Sequence, residues 1–358
     1  MKIAFVCPYP PDKAPSQRFR FEQYFQSLSE AGVQYHIYSF LSEHYWNNLY
    51  VSKGLLFKIR MLTAGFLKRF LLLFKITSYD FVFLHREATP VGPPVFEWLI
   101  AKVFQKKIIY DFDDAIWLTD KVRESLPEKL IRFRSKVGLI CKWSYAVSCG
   151  NEYLCEYARL FAGRVVLNPT TVDTDKFGHS ELYGKKNNNQ VVVGWTGSHS
   201  TLKYLKEMEP VFIHLRATYP EVRVLVIADK KPQTNLQIDF VLWNSVTEAE
   251  DLARIDIGIM PLPDDEWAKG KCGLKALQYM ALGIPAVVSP VGVNSKIIKN
   301  DVTGYLCKTH NEWIAALEKL IVNSTLRHSL GVQGRAFVQD HYSVRSNKKL
   351  FLSLFNLS

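Results

Sequence analysis

The sequence predicts an α/β protein made of two doubly wound units, and three observations lead to this prediction. The chain has 358 residues, more than one ordinary hydrophobic core holds and enough for two domains. Short runs rich in β-branched and aromatic residues alternate with longer helical patterns, which is typical of parallel sheets with crossover helices. The series of short runs begins a second time after a polar stretch at 179–190. Two Rossmann-like domains are therefore expected.

The predicted strands fall into two groups along the chain. Those of the first group are KIAFV (2–6), YHIYSF (35–40), FVFL (81–84), KIIY (107–110), YAVS (145–148) and RVVL (164–167). Those of the second group are QVVVGW (190–195), VRVLVIA (222–228), FVLW (240–243), IGIMPL (257–262), IPAVVS (284–289) and TGYLC (303–307). Each group predicts one parallel sheet.

The domain boundary is predicted near 170–190, where HSELYGKKNNNQ (179–190) has the composition of a linker or surface loop. The first domain is predicted to span 1–178 and the second 190–340. Helices are expected at 325–340 and 343–356, and the last one is expected to return to the first domain.

The composition indicates which classes of binding partner and which cellular compartment to expect. The excess of 45 Lys and Arg over 34 Asp and Glu gives a formal charge of +11, which favours polyanions, acidic membrane surfaces or phosphorylated ligands. No recognised nucleic-acid motif accompanies this charge, so nucleic acid is not an expected partner. The six cysteines form no CxxC pair and indicate reduced thiols in a cytoplasmic setting. Neither a signal peptide nor an apolar run long enough to span a bilayer is expected.

The segment 53–75 predicts a helix with one apolar and one basic side. At 100° per residue its apolar residues share a sector roughly 140° wide. They are Leu55, Leu56, Ile59, Leu62, Phe66, Leu67, Phe70, Leu73 and Phe74, and the basic residues outside the sector are Lys53, Lys58, Arg60, Lys68, Arg69 and Lys75. Such a helix either lies in the interface of an anionic membrane or packs on the core with a solvated basic face.

The stretch 265–292 (DEWAKGKCGLKALQYMALGIPAVVSPVG) predicts an anion site. Gly273 begins a helical pattern, and Gly270 precedes it. Glycines let the backbone approach a ligand, and the first N–H groups of the helix, from Leu274 onward, would face it. The site is therefore expected to bind phosphate groups.

Three polar residues of this stretch are expected to contact the ligand. Lys271, Lys275 and Gln278 stand at i, i+4 and i+7 and are expected to share one stripe of the helix. Lys271 with either Lys269 or Lys275 would neutralise a diphosphate, and Gln278 would hydrogen-bond a ribose hydroxyl. The alternative is a lysine run on a solvated helix face.

Several motifs together resemble glycosyltransferase family 4, the large retaining group with the GT-B fold. GLKALQYMALGIPAVVSPVG (273–292) looks like its donor-binding motif. KIAFVCPYPP, LNPTTVDTDKF (167–177) and TGYLC resemble its opening, interdomain and late-strand segments, so the resemblance covers nearly the whole chain.

The resemblance implies a nucleotide-sugar glycosyltransferase of GT-B architecture, with two Rossmann-like domains facing across a cleft. The donor would bind the second domain and the acceptor the first. A UDP-sugar is the expected donor, and neither a cofactor nor a metal ion is expected. The departing diphosphate would help to deprotonate the acceptor hydroxyl, while lysines, arginines and helix N–H groups stabilise its charge.

The chain departs from the family pattern at two places. Gln278 and Gly270 stand where the family has its acidic pair, and Glu266 or Asp265 would have to reach the sugar instead. Trp195 stands where the family has an arginine for the diphosphate. The other candidates for donor contacts at this place are Gly197, Ser198, Ser200 and Lys203, although an ordinary capped helix start explains Lys203 equally well.

In the first domain, residues 8–25 follow the first strand as a phosphate or acceptor loop would. Arg18 and Arg20 are candidates for donor phosphate, since arginine suits bidentate contact, and Ser16 is a candidate for the acceptor. Surface ion pairing is the alternative for one of the two arginines.

Two further loops follow strands of the first domain. LHREATPVGPP (84–94) offers the acceptor candidates His85, Arg86 and Glu87, and a structural histidine is the alternative there. YDFDDAIW (110–117) carries Asp111, Asp113 and Asp114, which either form a solvated turn or orient hydroxyls, with one of them serving as a base. The candidate catalytic residues are Asp113, Asp114, Lys271 and Glu266.

The predicted function is retaining transfer of a sugar from a UDP-sugar to a lipid-linked or glycan acceptor in surface polysaccharide or lipopolysaccharide synthesis. A polyprenyl-diphosphate-linked acceptor would bring the enzyme to the inner face of the cell membrane as a peripheral cytoplasmic protein, held through 53–75. The alternatives are a GT-B sugar-nucleotide epimerase and a non-catalytic partner in a glycan-assembly complex.

Overall fold

The computed structural model describes residues 1–49, 54–119, 124–178 and 190–357. Two compact units make up the chain. Met1–Thr170 and Lys348–Ser358 form the first unit, and Thr171–Asn347 form the second. Each unit contains a six-stranded parallel sheet with helices, so the predicted fold class is confirmed. Lys53 and residues 179–189 of the predicted linker lie outside the described residues.

The sheet of the first unit has the strand order β2-β1-β3-β4-β5-β6. The strands are β1 (Lys2–Cys7), β2 (Gln34–Ser39), β3 (Phe81–His85), β4 (Lys107–Phe112), β5 (Ala146–Cys149) and β6 (Val165–Leu167), one for each predicted segment. Phe5, Phe83 and Ile109 are fully buried in the inner strands. Burial on both faces explains why these strands are continuous apolar runs in the sequence.

The helices of the first unit flank this sheet. They are α1 (Pro15–Arg18), α2 (Phe25–Glu30), α3 (Glu43–Asn48), α4 (Leu55–Leu73), α5 (Val95–Trp98), α6 (Leu126–Arg132), α7 (Lys136–Trp143) and α8 (Glu152–Arg159). A π-helical turn at Leu99–Val103 continues α5, and 3-10 turns lie at Glu22–Tyr24 and Ile76–Ser78.

The sheet of the second unit has the order β12-β11-β10-β7-β8-β9. Its strands are β7 (Val192–Gly197), β8 (Arg223–Ala228), β9 (Asp239–Leu242), β10 (Ile257–Met260), β11 (Ala286–Val288) and β12 (Gly304–Leu306). Its helices include α9 (Leu202–Lys206), α10 (Glu209–Thr218), α11 (Glu248–Ala253), α12 (Glu266–Lys269), α13 (Leu274–Ala281), α14 (Asn294–Ile297), α15 (His310–Val322) and α16 (Ser324–His341). A 3-10 turn at His199–Thr201 leads into α9.

The last helix, α17 (Val344–Ser353), carries the chain back to the first unit, as predicted. The Phe351 ring stacks on Tyr24 with a centroid distance of 4.2 Å, and Lys348 forms an ion pair with Glu30 at 2.6 Å. Phe355, which follows α17, packs on Phe81 of β3. The C-terminal segment is thus part of the aromatic core of the first unit.

Helix α4 packs on the first unit through an unusual face. Gly65, Arg69 and Leu72, at i, i+4 and i+7, are its buried residues. Gly65 allows a close approach, since a Cβ there would lie 2.3 Å from the Phe40 ring. Burial of Arg69 contradicts the predicted solvated position of this residue. The exposed face is largely apolar, with Leu55 74%, Leu67 55% and Phe74 72% exposed.

No helix among the described residues is both long enough and apolar enough to cross a bilayer.

Candidate functional site

The carboxyl edge of the first sheet contains a buried ionic network centred on Asp111. The strand register places Asp111 of β4 between His85 of β3 and Ser148 of β5. Its carboxylate accepts hydrogen bonds from Ser148 Oγ at 2.7 Å and from the guanidinium of Arg20, and lies 2.8 Å from His85 Nδ1. Arg20 also donates to the Asn168 carbonyl. The network joins three strands to the loop after β1.

These contacts change the interpretation of two predicted ligand residues. The side chains of Arg20, His85 and Asp111 are fully buried. Burial alone would raise the pKa of Asp111, but Arg20 and His85 lower it below its usual range. Because Arg20 already pairs with a buried carboxylate, the structure does not support its predicted contact with donor phosphate. His85 takes the structural role that was its alternative, rather than an exposed acceptor contact.

Arg86 forms a second ionic cluster at the same edge. Its guanidinium donates to Asp113 Oδ1 at 2.8 Å and to Asp114 Oδ2 at 2.7 Å. Arg86 has a positive φ of 61°, a conformation that non-glycine residues adopt rarely and mostly at sites with a special constraint. Burial alone would raise the pKa of Asp113, whereas Arg86 lowers it. A carboxylate with a lowered pKa is a weak base, so the geometry does not support the predicted catalytic base at Asp113.

Buried charges fix the loop that carries Arg86. Arg69 of α4 donates to the Ala88 carbonyl at 2.7 Å and to the carbonyls of Cys7 and Tyr38, also at 2.7 Å. On the other side of the loop, the Ala88 N–H donates to Glu97 at 2.9 Å. Helix α4 is therefore joined directly to the loop after β3.

Glu87 takes part in the same arrangement, since Lys136 of α7 pairs with it at 2.7 Å. Lys136 also donates to the Thr89 carbonyl at 2.8 Å. The predicted acceptor contact at Glu87 would compete with this pair. The other candidates of the first unit, Ser16 and Arg18, lie on α1, where Ser16 is half-buried and the Arg18 guanidinium is 5.2 Å from the Phe19 ring.

An aromatic pair that includes Trp117, shortly after Asp114 in the sequence, is absent from the sequence prediction. The Trp117 ring, in the loop after β4, stacks on Tyr157 of α8 with a centroid distance of 3.6 Å and an angle of 3°. Both rings are half-buried. The apolar character of AIW next to charged DFDD is the only sequence signal for this group.

In the second unit, α13 begins where the sequence predicts it. Gly273 is the N-cap residue with a φ of 70°, a left-handed conformation that suits glycine. The N–H groups that follow, at Leu274 and Lys275, belong to the first turn, which has no acceptors within the helix. Lys271 lies before the helix, so the predicted stripe of Lys271, Lys275 and Gln278 along one helix is wrong.

Lys275 is the second residue of α13. Its Nζ lies 4.6 Å from the centroid of the Trp195 ring, at a distance typical of cation–π contact. The side chain is half-buried, and in the part of the chain that the structure describes no carboxylate pairs with it. Burial, together with the neighbouring charge of Lys271, lowers the pKa of Lys275 to about 7.

The other predicted residues of this stretch are engaged in different ways. Lys271 Nζ lies 5.1 Å from the Trp267 ring. Lys269 and Glu266 form an ion pair at 2.6 Å within α12, in which Glu266 is exposed and Lys269 is partly exposed. An exposed pair of this kind offers neither a buried acid to the sugar nor an uncompensated cation to the diphosphate.

The end of β7 shows why Trp195 and Gly197 occur together. Trp195 is fully buried below Lys275, and a Cβ at Gly197 would lie 2.5 Å from its ring. Gly197 is thus needed for packing. Ser198 donates its backbone N–H to Thr201 Oγ1 at 3.2 Å, as at an ordinary helix start. Lys203 lies beyond this turn, with its Nζ 5.2 Å from the Tyr204 ring.

Gln278 is buried and donates to the Glu248 carboxylate at 3.1 Å. Trp243 Nε1 donates to the same oxygen at 3.0 Å. Glu248 and Trp243 were not predicted from the sequence, although both follow the strand β9 and so lie at the carboxyl edge of the second sheet.

Among residues 1–49, 54–119, 124–178 and 190–357, no group of three His, Cys, Asp or Glu is arranged to hold a metal ion.

Within the second half of the chain, one segment matches a known protein family. Residues 184–337 match the family model described as Glycosyl transferases group 1. No curated protein sequence matches the chain significantly.

Solved structures resemble the whole chain in fold. Sucrose-phosphate synthase from Thermosynechococcus elongatus has a TM-score of 0.72 at 16% identity, and both chains are covered completely. Anabaena HepE, solved in complex with UDP and glucose, has a TM-score of 0.65 at 13% identity with complete coverage of both chains. A glycosyltransferase from Rickettsia africae has a TM-score of 0.66 at 13% identity, with 100% of this chain and 99% of that chain covered.

The architecture of two parallel sheets is that of the GT-B glycosyltransferases. Enzymes of group 1 with this fold need no cofactor, as expected from the resemblance. The chain thus has the GT-B fold, and this fold together with the family match over residues 184–337 supports a glycosyltransferase enzyme.

Proposed function

We propose that the enzyme transfers a sugar from a nucleotide diphosphate sugar, with UDP-sugar as the donor, and that the diphosphate binds at the start of α13. The observation that carries this proposal is Lys275, a half-buried ammonium above Trp195 in the domain that matches group 1 glycosyltransferases. A diphosphate would supply the anion that this cation lacks. The complex of Anabaena HepE with UDP-glucose, which has the same fold, supports the choice of UDP.

Transfer with retention of configuration needs charge stabilisation more than a protein base. As the glycosidic bond to the diphosphate breaks, negative charge grows on the β-phosphate oxygens. Lys275, Lys271 and the first N–H groups of α13 stabilise this charge. The departing phosphate accepts the proton of the acceptor hydroxyl, which agrees with the lowered pKa of Asp113 in the first unit.

The acceptor side of the reaction belongs to the first unit in this proposal. Arg86, Asp113 and Asp114 form a polar cluster at the carboxyl edge of its sheet, where ligands of open α/β folds bind. Trp117 provides a half-buried aromatic surface nearby in sequence. Carboxylates and an aromatic face are the groups that bind the hydroxyls and the ring of a sugar, so a lipid-linked or oligosaccharide acceptor fits.

The exposed face of α4 suits an anionic membrane surface. Leu67 and Phe70 on the C-terminal half of the helix, and Phe74 at its C-cap, are each more than half exposed. Lys58 and Lys75 are exposed on or next to the same helix, so that apolar insertion and headgroup contact occur together. This face supports the proposal that the enzyme is a peripheral protein on the cytoplasmic face of the cell membrane, acting in surface polysaccharide or lipopolysaccharide synthesis.

Nucleotide binding tests the donor half of the proposal. A thermal-shift screen of UDP, GDP and ADP, followed by UDP-glucose and other UDP-sugars, is expected to raise the melting temperature with UDP compounds. Release of UDP from the stabilising donor, with and without added glycoside acceptors, then measures turnover. Failure of every nucleoside diphosphate to stabilise the protein would refute the proposed function.

Vesicle flotation tests the membrane half. The wild-type protein is expected to float with vesicles of acidic phospholipid and not with neutral ones. The triple variant Leu67→Ser, Phe70→Ser, Phe74→Ser is expected to remain unbound. A triple variant of exposed residues in the second unit, Ile213→Ser, Val246→Ser, Val322→Ser, is the matched control and should float like the wild type. Equal flotation of both variants would contradict the role of α4.

A further inference from the structure

Helix α6 contains three large apolar side chains, yet none of its residues, all of which the structure describes, is buried. Leu126 is 75%, Leu130 76% and Ile131 55% exposed. Local signals define the helix instead of core packing. Ser125 is the N-cap residue, whose Oγ accepts a backbone N–H at 3.4 Å, and Phe133 ends the helix in a left-handed conformation with a φ of 47°. The apolar side of α6 is therefore available to a partner.

The apolar and charged residues of α6 lie on opposite sides of the helix. At 100° per residue, Leu126, Leu130 and Ile131 fall within a sector of about 140°. The charged residues outside this sector are Glu128, Lys129 and Arg132. Lys129 and Arg132 are exposed, and these two cations outnumber the one carboxylate. A helix with an exposed apolar side and flanking cations is typical of binding to an acidic lipid surface.

Two contacts connect α6 to α4 by way of α5. The Ile131 carbonyl accepts the N–H of Gly92, shortly before α5, at 2.7 Å. Phe96 of α5 contacts Phe66 of α4 with a centroid distance of 6.1 Å. Trp98 of α5 is exposed as well. The exposed apolar residues of α4, α5 and α6 thus belong to neighbouring elements of one unit, so a single large partner can cover all three.

Helix α6 is also linked to both loops that form the acceptor cluster of the proposed function. The loop after β3 contains Arg86 and Gly92, and Gly92 binds Ile131 of α6. The loop after β4, upstream of α6, contains Asp113 and Asp114, which pair with Arg86. An acceptor with a lipid tail needs its sugar at this cluster and its tail in the bilayer. A membrane surface at α6 satisfies both requirements.

We propose that α6 is a second membrane-binding helix, which inserts Leu126, Leu130 and Ile131 into an acidic phospholipid surface next to the acceptor cluster. This inference rests on the proposed function, because it takes the acceptor to be lipid-linked and to bind the first unit. It goes beyond the role of α4, because it places the carboxyl edge of the first sheet at the bilayer. A second copy of this chain is the other occupant that an apolar helix face admits, and the experiment separates the two.

The experiment places a fluorescent reporter on α6. All six native cysteines are buried, so a polarity-sensitive thiol dye is expected to label the exposed thiol of Leu130→Cys and not the wild type. With vesicles that contain phosphatidylglycerol, the emission of the dye is expected to shift to shorter wavelength, and lipids with brominated acyl chains should quench it. Vesicles of phosphatidylcholine alone should produce neither change.

Matched variants control for position and folding. The dye on Phe70→Cys of α4 should report the same shift, and the dye on Val246→Cys, at an exposed position of the second unit, should report none. The triple variant Leu126→Ser, Leu130→Ser, Ile131→Ser is expected to lose vesicle affinity by about tenfold or more, since burial of one aliphatic side chain accounts for a change of this size. It changes only exposed residues and should keep the melting temperature of the wild type.

The possible failures are distinguishable. If the dye on α4 reports insertion and the dye on α6 does not, or if the triple variant of α6 keeps the wild-type vesicle affinity, the inference is overturned while the proposed function stands. If the emission from labelled Leu130→Cys shifts with protein concentration in the absence of vesicles, a second copy covers α6 and the inference is again overturned. If neither helix inserts, the membrane half of the proposed function falls together with the inference, while nucleotide binding tests the donor half separately.

Discussion

The carboxyl edges of the two sheets differ in how their cationic side chains are paired. In the first unit, Arg20 pairs with Asp111 and Arg86 pairs with Asp113 and Asp114. In the second unit, Lys275 has an aromatic ring and another lysine as its neighbours. The first edge neutralises these cations internally, whereas at the second edge no carboxylate among the described residues pairs with Lys275.

This difference shows which charges are available to a substrate. A buried ion pair serves the fold, because removing either partner leaves an uncompensated charge in the interior. A half-buried cation without a carboxylate raises the free energy of the empty protein and is stabilised when an anion binds. Donor diphosphate is therefore expected at the second edge. Under the proposed function, the first edge would offer the acceptor a surface that is already neutralised.

The largest expected effect is on stability at the first edge. Asp111→Asn removes the carboxylate that compensates buried Arg20 and is expected to lower the free energy of unfolding by about 3–5 kcal/mol. Chemical denaturation measures this change. Asp239→Asn breaks the exposed pair with Arg223 and serves as the control, with little change expected. If Asp111→Asn and the control behaved alike, the first edge would not depend on internal pairing.

A smaller effect is expected from the backbone at the second edge. Gly273→Ala places a side chain at a φ of 70° and should lower the free energy of unfolding by about 1–2 kcal/mol. Gly163, which has open space around it and no positive φ, provides the control substitution Gly163→Ala. A neutral Gly273→Ala variant would show that the start of α13 tolerates other conformations.

The pH dependence of stability should have the same sign at the two edges but should occur in different pH ranges. The pKa of Lys275 is lowered from 10.5 in the unfolded chain to about 7 in the folded protein. Between these values the unfolded state binds more protons, so the contribution of Lys275 to stability rises with pH. The pKa of Asp111 is also lowered, and its contribution, complete at neutral pH, is lost as the pH falls below about 3.8.

Denaturation at pH 7 and pH 9 checks whether the contribution of Lys275 to stability rises with pH. The wild type is expected to gain stability relative to Lys275→Met between these values. The size of the gain should be modest, because the side chain is only half-buried. A loss of relative stability with rising pH would contradict the assigned environment of Lys275.

The smallest expected effect is on the protonation that accompanies nucleotide binding. Above pH 7 the ammonium of Lys275 is partly neutral in the empty protein, and binding a diphosphate requires its proton. Calorimetry at pH 8 in two buffers of different ionisation enthalpy should show uptake of up to one proton. Lys275→Arg stays charged throughout and should bind without proton uptake. Equal proton uptake in both proteins would assign the proton to another group.

The fold was predictable because buried parallel strands leave a local signal. Each predicted apolar run coincides with a strand. Both faces of each sheet are covered, so that strand residues such as Phe83 and Val226 are fully buried. The start of α13 was predictable for a similar reason, because Gly273 and the periodicity after it are local features.

The roles of charged residues were not predictable, because they depend on strand register and distant segments. Arg20 lies 91 positions from Asp111, and Gln278 lies 30 positions from Glu248. The helical wheel places Arg69 on the basic, solvated side of its helix. In the structure it is buried and donates hydrogen bonds to three backbone carbonyls. No local pattern distinguishes these arginines from exposed ones.

The most direct test of the account is the affinity of Lys275→Met for UDP. Calorimetry at pH 6.5 is expected to show a loss of about 10–100-fold, since a hydrogen bond between charged groups contributes about 1.5–3 kcal/mol. Lys269→Met, which changes a lysine paired with Glu266 at the surface, should stay within about threefold of the wild type. Undiminished binding of UDP by Lys275→Met would contradict the claim that this lysine holds the donor diphosphate.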